Sequence, residues 1–221
     1  MKLSILIPTI QSRQKQFQKL KKKLDRQIAE NSLLEEVEIV CFLDNRNHSI
    51  GFKRNKLINS AKGMFVVFVD DDDDVSDDYV LLIYRAIINN PDIDCIGIKG
   101  LITFRERMPR TFIHSLQYKE YFSKKKTYFR PPYHLNPIKH EIAIKYSFED
   151  INYSEDIDWA MKILNDNVLQ KEYFIDKVIY FYYSRRFWFY QYLLDISEKV
   201  RHALGLRLSN RIRIKRWFNS T

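Results

Sequence analysis

Apolar positions in this chain fall into short continuous runs separated by segments with helical spacing. Leu3 to Ile7 is one run, stopped by Pro8 and Thr9, and Val37 to Leu43 is a second that ends in Asp44. Met64 to Val69 and Ile93 to Ile98 are two more, rich in β-branched and aromatic residues, as strands buried on both faces require. Between the runs, Phe17, Leu20, Leu24 and Ile28 recur at helical spacing. A second helix is entered through Gly51, turns Leu57, Ile58 and Ala61 inward and stops at Gly63; a third is predicted from about Asp77 to Asn89, ahead of Pro91. This alternation predicts an α/β fold with an open, mixed but mainly parallel sheet flanked by helices.

After Gly100 the rhythm breaks. Residues 101–148 are basic and aromatic and contain Pro109, Pro131, Pro132 and Pro137, which predicts loops and short strands forming a wall beside the sheet. Ser154 is placed to cap a helix running through Trp159, Met161, Ile163 and Leu164. Val178 to Tyr183 reads as the last strand, and from Phe187 a helix is predicted past Leu208 into the tail RIRIKRWF. No internal repeat or low-complexity linker separates a second independent domain. The expected organisation is one domain over residues 1–186 and a basic helical extension over 187–221.

Charge is more informative than composition. The net charge is +9. From Lys199 onward there are seven Lys or Arg and no acid, and residues 99–145 carry eleven Lys or Arg against three Glu. These regions predict a polyanionic neighbour, DNA or an anionic membrane surface among them. Lys19, Lys21, Lys22, Lys23 and Arg26 lie off the apolar face of the first helix and read as a solvated surface. Cys41 and Cys95 sit in strand-like runs, so buried thiols in a reducing compartment are expected rather than a disulfide. No apolar stretch is long enough to span a membrane, and the first ten residues do not suit a signal peptide, so a cytoplasmic protein is expected. Glycine occurs only at positions 51, 63, 97, 100 and 205, which leaves neither a dinucleotide fingerprint nor a P-loop.

The strongest chemical signal is the run Asp70 to Asp74 at the end of the third strand. Five like charges at a strand end call for something cationic, a divalent metal or a basic segment. The competing reading is an acidic loop leading into the next helix, with Ser76, Asp77 and Asp78 at its N-terminus. Position favours the functional reading, because ligands of open α/β sheets bind beyond the carboxyl ends of the strands.

Five stretches taken in order resemble glycosyltransferases of family 2, which have the GT-A (Rossmann-like) fold. They are SILIPTIQSR at 4–13, Asp44, GFKRNKLINSAKG at 51–63, FVVFVDDDDD at 65–74 and SEDIDWAMKI at 154–163. The resemblance implies a nucleotide-binding half over residues 1–100 and an acceptor and catalytic half over 101–186. It implies a metal-binding Asp-x-Asp at Asp70-Asp71-Asp72, with Asp72 as the main ligand of Mn2+ or Mg2+ and Asp70 nearer the ribose or base. Asp71 and Asp73 stay open, because the run permits a shift of one residue. Asp44 matches the residue that reads the nucleobase, Pro8 and Thr9 its cradle, and Arg54 and Asn55 an Arg-Asn pair, with local capping the rival role for Asn55. Asp156 matches the catalytic base and Glu155 is its rival. Arg185 and Arg186 match a basic segment over the diphosphate. His134, Asn136 and Trp159 are candidates for the acceptor side.

The implied activity is an inverting, metal-dependent transfer of one sugar from a nucleoside-diphosphate sugar, UDP-linked in expectation, to an acceptor hydroxyl. Ser184-Arg185-Arg186-Phe187-Trp188 lacks the Gln-x-x-Arg-Trp of processive polymerases, which favours a single addition. Two acceptors suit the basic surface: a lipid-linked saccharide at an anionic membrane, and hydroxymethylated DNA. A noncatalytic polyanion-binding module would explain the charge but not the acidic run, and a sugar nucleotidyltransferase would need a glycine-rich opening loop that Ile7-Pro8-Thr9-Ile10 does not supply.

Overall fold

A computed structural model describes residues 1–104 and 107–184, and Met1–Tyr183 form one compact unit. The helix expected from Phe187 and the segment carrying Arg185 and Arg186 lie outside the described residues. The first strand, β1 (Leu3–Ile10), leads through a short 3-10 turn into α1 (Gln14–Glu30). Then come β2 (Val37–Asp44), α2 (Ile50–Ser60), β3 (Phe65–Phe68), β4 (Asp74–Val75) and α3 (Tyr79–Asn89). The second half comprises β5 (Cys95–Phe104), β6 (Arg107–His114), β7 (Phe122–Lys124), β8 (Thr127–Arg130), β9 (Ile138–Lys139), α4 (His140–Ala143), α5 (Glu155–Asn165) and β10 (Glu172–Ser184).

These strands build one mixed sheet in the order β2-β1-β3-β9-β5-β6-β8-β7, with β10 paired to β4 and β5. β2-β1-β3 form a parallel block, and β6 and β8 also pair in parallel; the central strands β1 and β3 are almost wholly apolar and buried because both faces are covered. From β9 onward antiparallel pairs dominate: β9 with β3 and β5, β6 with β5, and β7 with β8.

Three expectations are corrected. Pro8 does not stop β1, which runs on to Ile10; pairing with β3 ends at Leu6, leaving β2 as the ladder partner there, the edge situation in which proline is tolerated. Gly100 does not end a strand either. It lies inside β5, where a Cβ would come within 2.2 Å of the Phe112 ring and 2.7 Å of the Tyr180 carbonyl oxygen, so its smallness admits β6 and β10. The wall therefore contains longer strands than its prolines suggest. Finally, Ser154 does not cap α5: its φ is 69° and its side chain makes no capping bond. The start of α3 is capped from elsewhere, the buried Gln27 of α1 accepting from the Val80 N–H at 2.9 Å.

Helix α2 holds the segment that precedes α5. The Asn55 side chain donates to the Phe148 carbonyl and accepts from the Phe148 N–H, both at 2.8 Å. The Gly51 N–H donates to Ile151 O at 3.1 Å, the Ile50 N–H to Asn152 Oδ1 at 3.1 Å, and the Ser49 hydroxyl donates to Asp150. A Cβ on Gly51 would sit 1.7 Å from the Glu149 carbonyl oxygen. Gly51→Ala is therefore expected to destabilise the protein by about 2 kcal/mol or more despite alanine's higher helix propensity. Urea unfolding checks this, and an unchanged midpoint would show that the loop does not depend on the close approach.

Candidate active site

The aspartate run is sorted by alternation at the end of β3. Asp71 turns inward, accepting from the Thr9 hydroxyl at 2.8 Å and from Arg13 Nη1 at 2.7 Å. Asp73 is buried too, accepting from the Tyr180 hydroxyl at 2.8 Å and the Tyr183 N–H at 2.9 Å. Burial, reinforced by the charge of Asp70, pushes its carboxyl well above the usual range. Asp70 and Asp72 keep side-chain exposures of 23% and 21%. Asp70 pairs with Arg54 Nη2 at 3.1 Å, and Asp72 lies 3.3 Å from Arg13 Nη1. Burial would raise the Asp70 carboxyl, yet the Arg54 charge, with His134 and Arg13, holds it well below the ordinary range.

Arg54 links this rim to α5. Its guanidinium is buried between the Phe68 and Phe148 rings, 5.1 and 5.7 Å from their centroids, and its Nε lies 3.3 Å from Glu155 Oε1. That contact is an ion pair and not a hydrogen bond, since Nε and Nη1 have no hydrogen-bond partner. Burial pushes Glu155 up to about 7 against the pull of Arg54, and Asp156 adds to the rise. Asp156 faces the other way with 18% of its side chain exposed. Its Oδ2 accepts from the Tyr133 hydroxyl and its Oδ1 from the Ile157 N–H at 2.7 Å.

His134 stands between the two carboxylates. Its Nε2 is 3.7 Å from Asp70 Oδ2 and its Nδ1 is 3.6 Å from Asp156 Oδ2, while neither nitrogen has a hydrogen-bond partner. Burial, then the Arg54 charge, moves the imidazole below its ordinary pKa.

Other expected site residues land elsewhere. Trp159 is not on an acceptor surface: it is 2% exposed, stacks on Phe148 at 4.8 Å and donates from Nε1 to Tyr146 O. Asn136 is likewise internal. It accepts from the Tyr133 N–H at 3.0 Å and donates to Ile96 O at 2.9 Å, so it fixes the turn carrying Tyr133 and His134. His134 is itself too buried to line an open acceptor surface. Asn55 uses its amide on Phe148, the local role set against nucleotide contact above. Asp44 lies at the expected end of β2, but its oxygens already accept from the Arg46 and His48 N–H groups and from Lys53 Nζ at 3.0 Å. Burial works against ionisation there, and those donors outweigh it. Pro8 and Thr9 lie within the last three residues of β1 beside this corner, Thr9 facing Asp71.

Sequence reasoning assigned no role to Arg13, Lys53, Tyr133 or Tyr180. Arg13 and Lys53 lie within the stretches 4–13 and 51–63, where their charge was a usable signal. Nothing in the sequence marks Tyr133 or Tyr180 among 14 tyrosines.

A divalent cation could be held at Asp70 and Asp72, whose hard oxygens stay partly open while their neighbours are used internally. Among the described residues no group of three or more His, Cys, Asp or Glu is arranged to hold a metal alone. Two carboxylates completed by substrate phosphates and water suit Mg2+ or Mn2+.

The sheet order, the acidic rim beyond β3 and the flanking helices define a GT-A-like fold. It is similar to TarS of S. aureus: residues 1–349 in complex with UDP-GlcNAc match with a TM-score of 0.58 at 17% identity, over 85% of this chain and 60% of that one. The same TarS segment with UDP gives 0.57 at 17% identity, over 83% and 61%, and a longer TarS structure gives 0.56 at 16%, over 83% and 37%. This chain thus spans 60% of the length of the 1–349 segment. No family model and no curated protein matches the chain.

Proposed function

We propose that this protein is an inverting glycosyltransferase that moves one sugar from a UDP-linked donor to an acceptor hydroxyl. The observation that carries the reading is the convergence of Asp70, from the end of β3, and Asp156, from the first turn of α5, on opposite nitrogens of one histidine. In this reading the two carboxylates serve donor and acceptor from one site, in a fold shared with a protein crystallised with UDP-GlcNAc.

In the proposed reaction Asp156 takes the proton of the acceptor hydroxyl as its oxygen attacks the anomeric carbon. The bond from that carbon to the diphosphate breaks with its electron pair leaving on the diphosphate. Asp70 and Asp72 would hold Mn2+ or Mg2+, which when bound neutralises charge developing on the leaving group. Arg13 fixes Asp71 and faces Asp72, and Arg54 keeps Asp70 ionised. Glu155, paired to Arg54 and more deeply buried, supports the site and does not meet the acceptor.

The acceptor in this reading is polyanionic. Besides the net charge, Lys124, Lys125 and Lys126 are exposed at the β7–β8 turn. Lys125 and Lys126 have φ of 48° and 64°, where hairpin turns favour Asn and Gly. Charge is thus kept at a conformationally costly position.

Thermal melting with UDP, UDP-GlcNAc and other nucleoside-diphosphate sugars, with and without Mn2+, tests the donor. A UDP sugar at a hundred times its Kd is expected to stabilise the fold by about 2.7 kcal/mol, with most of the gain requiring Mn2+. The absence of any shift across the panel would overturn the reading. Sugar transfer to hydroxymethylated duplex DNA, set against binding to anionic liposomes, separates the two acceptors, and failure to bind either liposomes or heparin resin at low salt would exclude a polyanion.

A further inference from the structure

His134 is the least explained group in the site. It is 3% exposed, lies on a turn of the second half of the chain, and places each ring nitrogen opposite a carboxylate oxygen, yet neither nitrogen is bonded. Buried polar groups without partners are rare in folded proteins and invite a reason. The ring is not simply loose packing. Its backbone carbonyl accepts from the Phe68 N–H at 3.1 Å, tying the turn to the end of β3. The Asn136 N–H donates to Tyr133 O at 2.8 Å, and the Asn136 side chain anchors the same turn to β5 and, through His114 Nδ1 at 3.2 Å, to β6. The imidazole is flanked by the Tyr133 ring at 4.0 Å and the Phe68 ring at 6.2 Å. The adjacent Tyr133 hydroxyl donates to Asp156, so two consecutive residues of one rigid turn face the same carboxylate.

We infer that His134 is a positioning residue that sets Asp156 against the donor-side carboxylate Asp70. Contacts of 3.6 and 3.7 Å are too long for hydrogen bonds; a small closure lets the single N–H of the neutral ring donate to one carboxylate, while the other nitrogen holds the ring against the second. Catalytic hydrogen bonds are commonly long in a ligand-free site and tighten in the substrate complex. Tyr133 restrains Asp156 from one direction. His134 adds the link to Asp70, which neither Tyr133 nor Arg54 supplies: Tyr133 bonds Asp156 alone, and Arg54 pairs with Asp70 and Glu155. The separation of donor and base then becomes a property of one side chain. This inference rests on the proposed transferase reading, and its test is built to fail separately from it.

The test compares His134→Phe, which keeps a ring of similar shape and removes both nitrogens, with His134→Gln, which restores a donor and an acceptor. Turnover is read as UDP release from UDP-GlcNAc in Mn2+, with water or an added glycan as acceptor, alongside UDP affinity by calorimetry and the melting temperature of each variant. His134→Phe is expected to lower kcat by about 10- to 100-fold, the range a misplacement of about 1 Å produces. Its KM for UDP-GlcNAc and its affinity for UDP should stay within about threefold of the unaltered protein, and His134→Gln should recover part of kcat. Unchanged kcat in both variants overturns the inference, as does a rise in KM that matches the fall in turnover. If His134→Phe does not fold, His134→Leu, which also lacks both nitrogens, takes its place on the same criteria. Lack of both UDP binding and UDP release in the unaltered protein, with any nucleotide sugar, overturns the transferase reading instead.

Discussion

Asp156→Asn is expected to lower sugar transfer by about 10²- to 10⁴-fold and to leave the Kd for UDP within about twofold. Asparagine keeps the shape and still offers an oxygen to the Tyr133 hydroxyl, so the first turn of α5 should stay in place. What disappears is the carboxylate proposed to accept the acceptor's proton. Two facts separate Asp156 from its neighbour. Its side chain is 18% exposed against 5% for Glu155, and Glu155 is the one paired to Arg54. Transfer rates combined with UDP calorimetry make the check. A parallel loss of UDP affinity would mean that Asp156 serves the nucleotide, and the base assignment would fall.

The second large effect is expected from Asp72→Ala. Transfer should fall by at least about a hundredfold, while UDP affinity should drop only in the presence of Mn2+. The register of the run sets this expectation. Asp71 and Asp73 are engaged by Thr9, Arg13, Tyr180 and the Tyr183 amide, and Asp70 and Asp72, each beside an arginine, are the more exposed members of the run. Asp71→Ala is the contrasting variant, because it removes two internal bonds and should lower the melting temperature before it alters Mn2+ dependence. Equal UDP affinity for Asp72→Ala and the unaltered protein in Mn2+ would exclude Asp72 as a metal ligand.

Much of the parallel half of the fold was legible because its central strands, β1 and β3, are buried on both faces and therefore read as nearly uninterrupted apolar runs. The Asp-x-Asp position could be bracketed in the same way. Its register could not, since five identical residues carry no phase until Thr9, Arg13 and Tyr180 choose among them. The antiparallel half was less legible. There Gly100 and the prolines look like breaks, whereas the structure uses Gly100 for close approach of two strands. Trp159 and Asn136 were misplaced for a related reason. Sequence shows that they lie near the base, but helical phase and turn bonding decide that both point inward. Tyr133 and His134 meet Asp156 only through tertiary packing, so adjacency in the chain gave no warning that both face one carboxylate.

The clasp between α2 and residues 148–152 also bears on the order in which the molecule is assembled. Asn55 and Phe148 are 93 positions apart, and Ile50 and Asn152 are 102. Closing such loops carries an entropic cost that local helix and strand formation does not. The segment bearing Glu155 and Asp156 is therefore expected to dock after the parallel core of the sheet is in place. By the same reasoning it is a natural unit of partial opening, in which amide protons of Phe148 and Gly51 exchange before those of β1 and β3. Catalytic competence would then be lost at milder denaturant concentrations than the sheet itself.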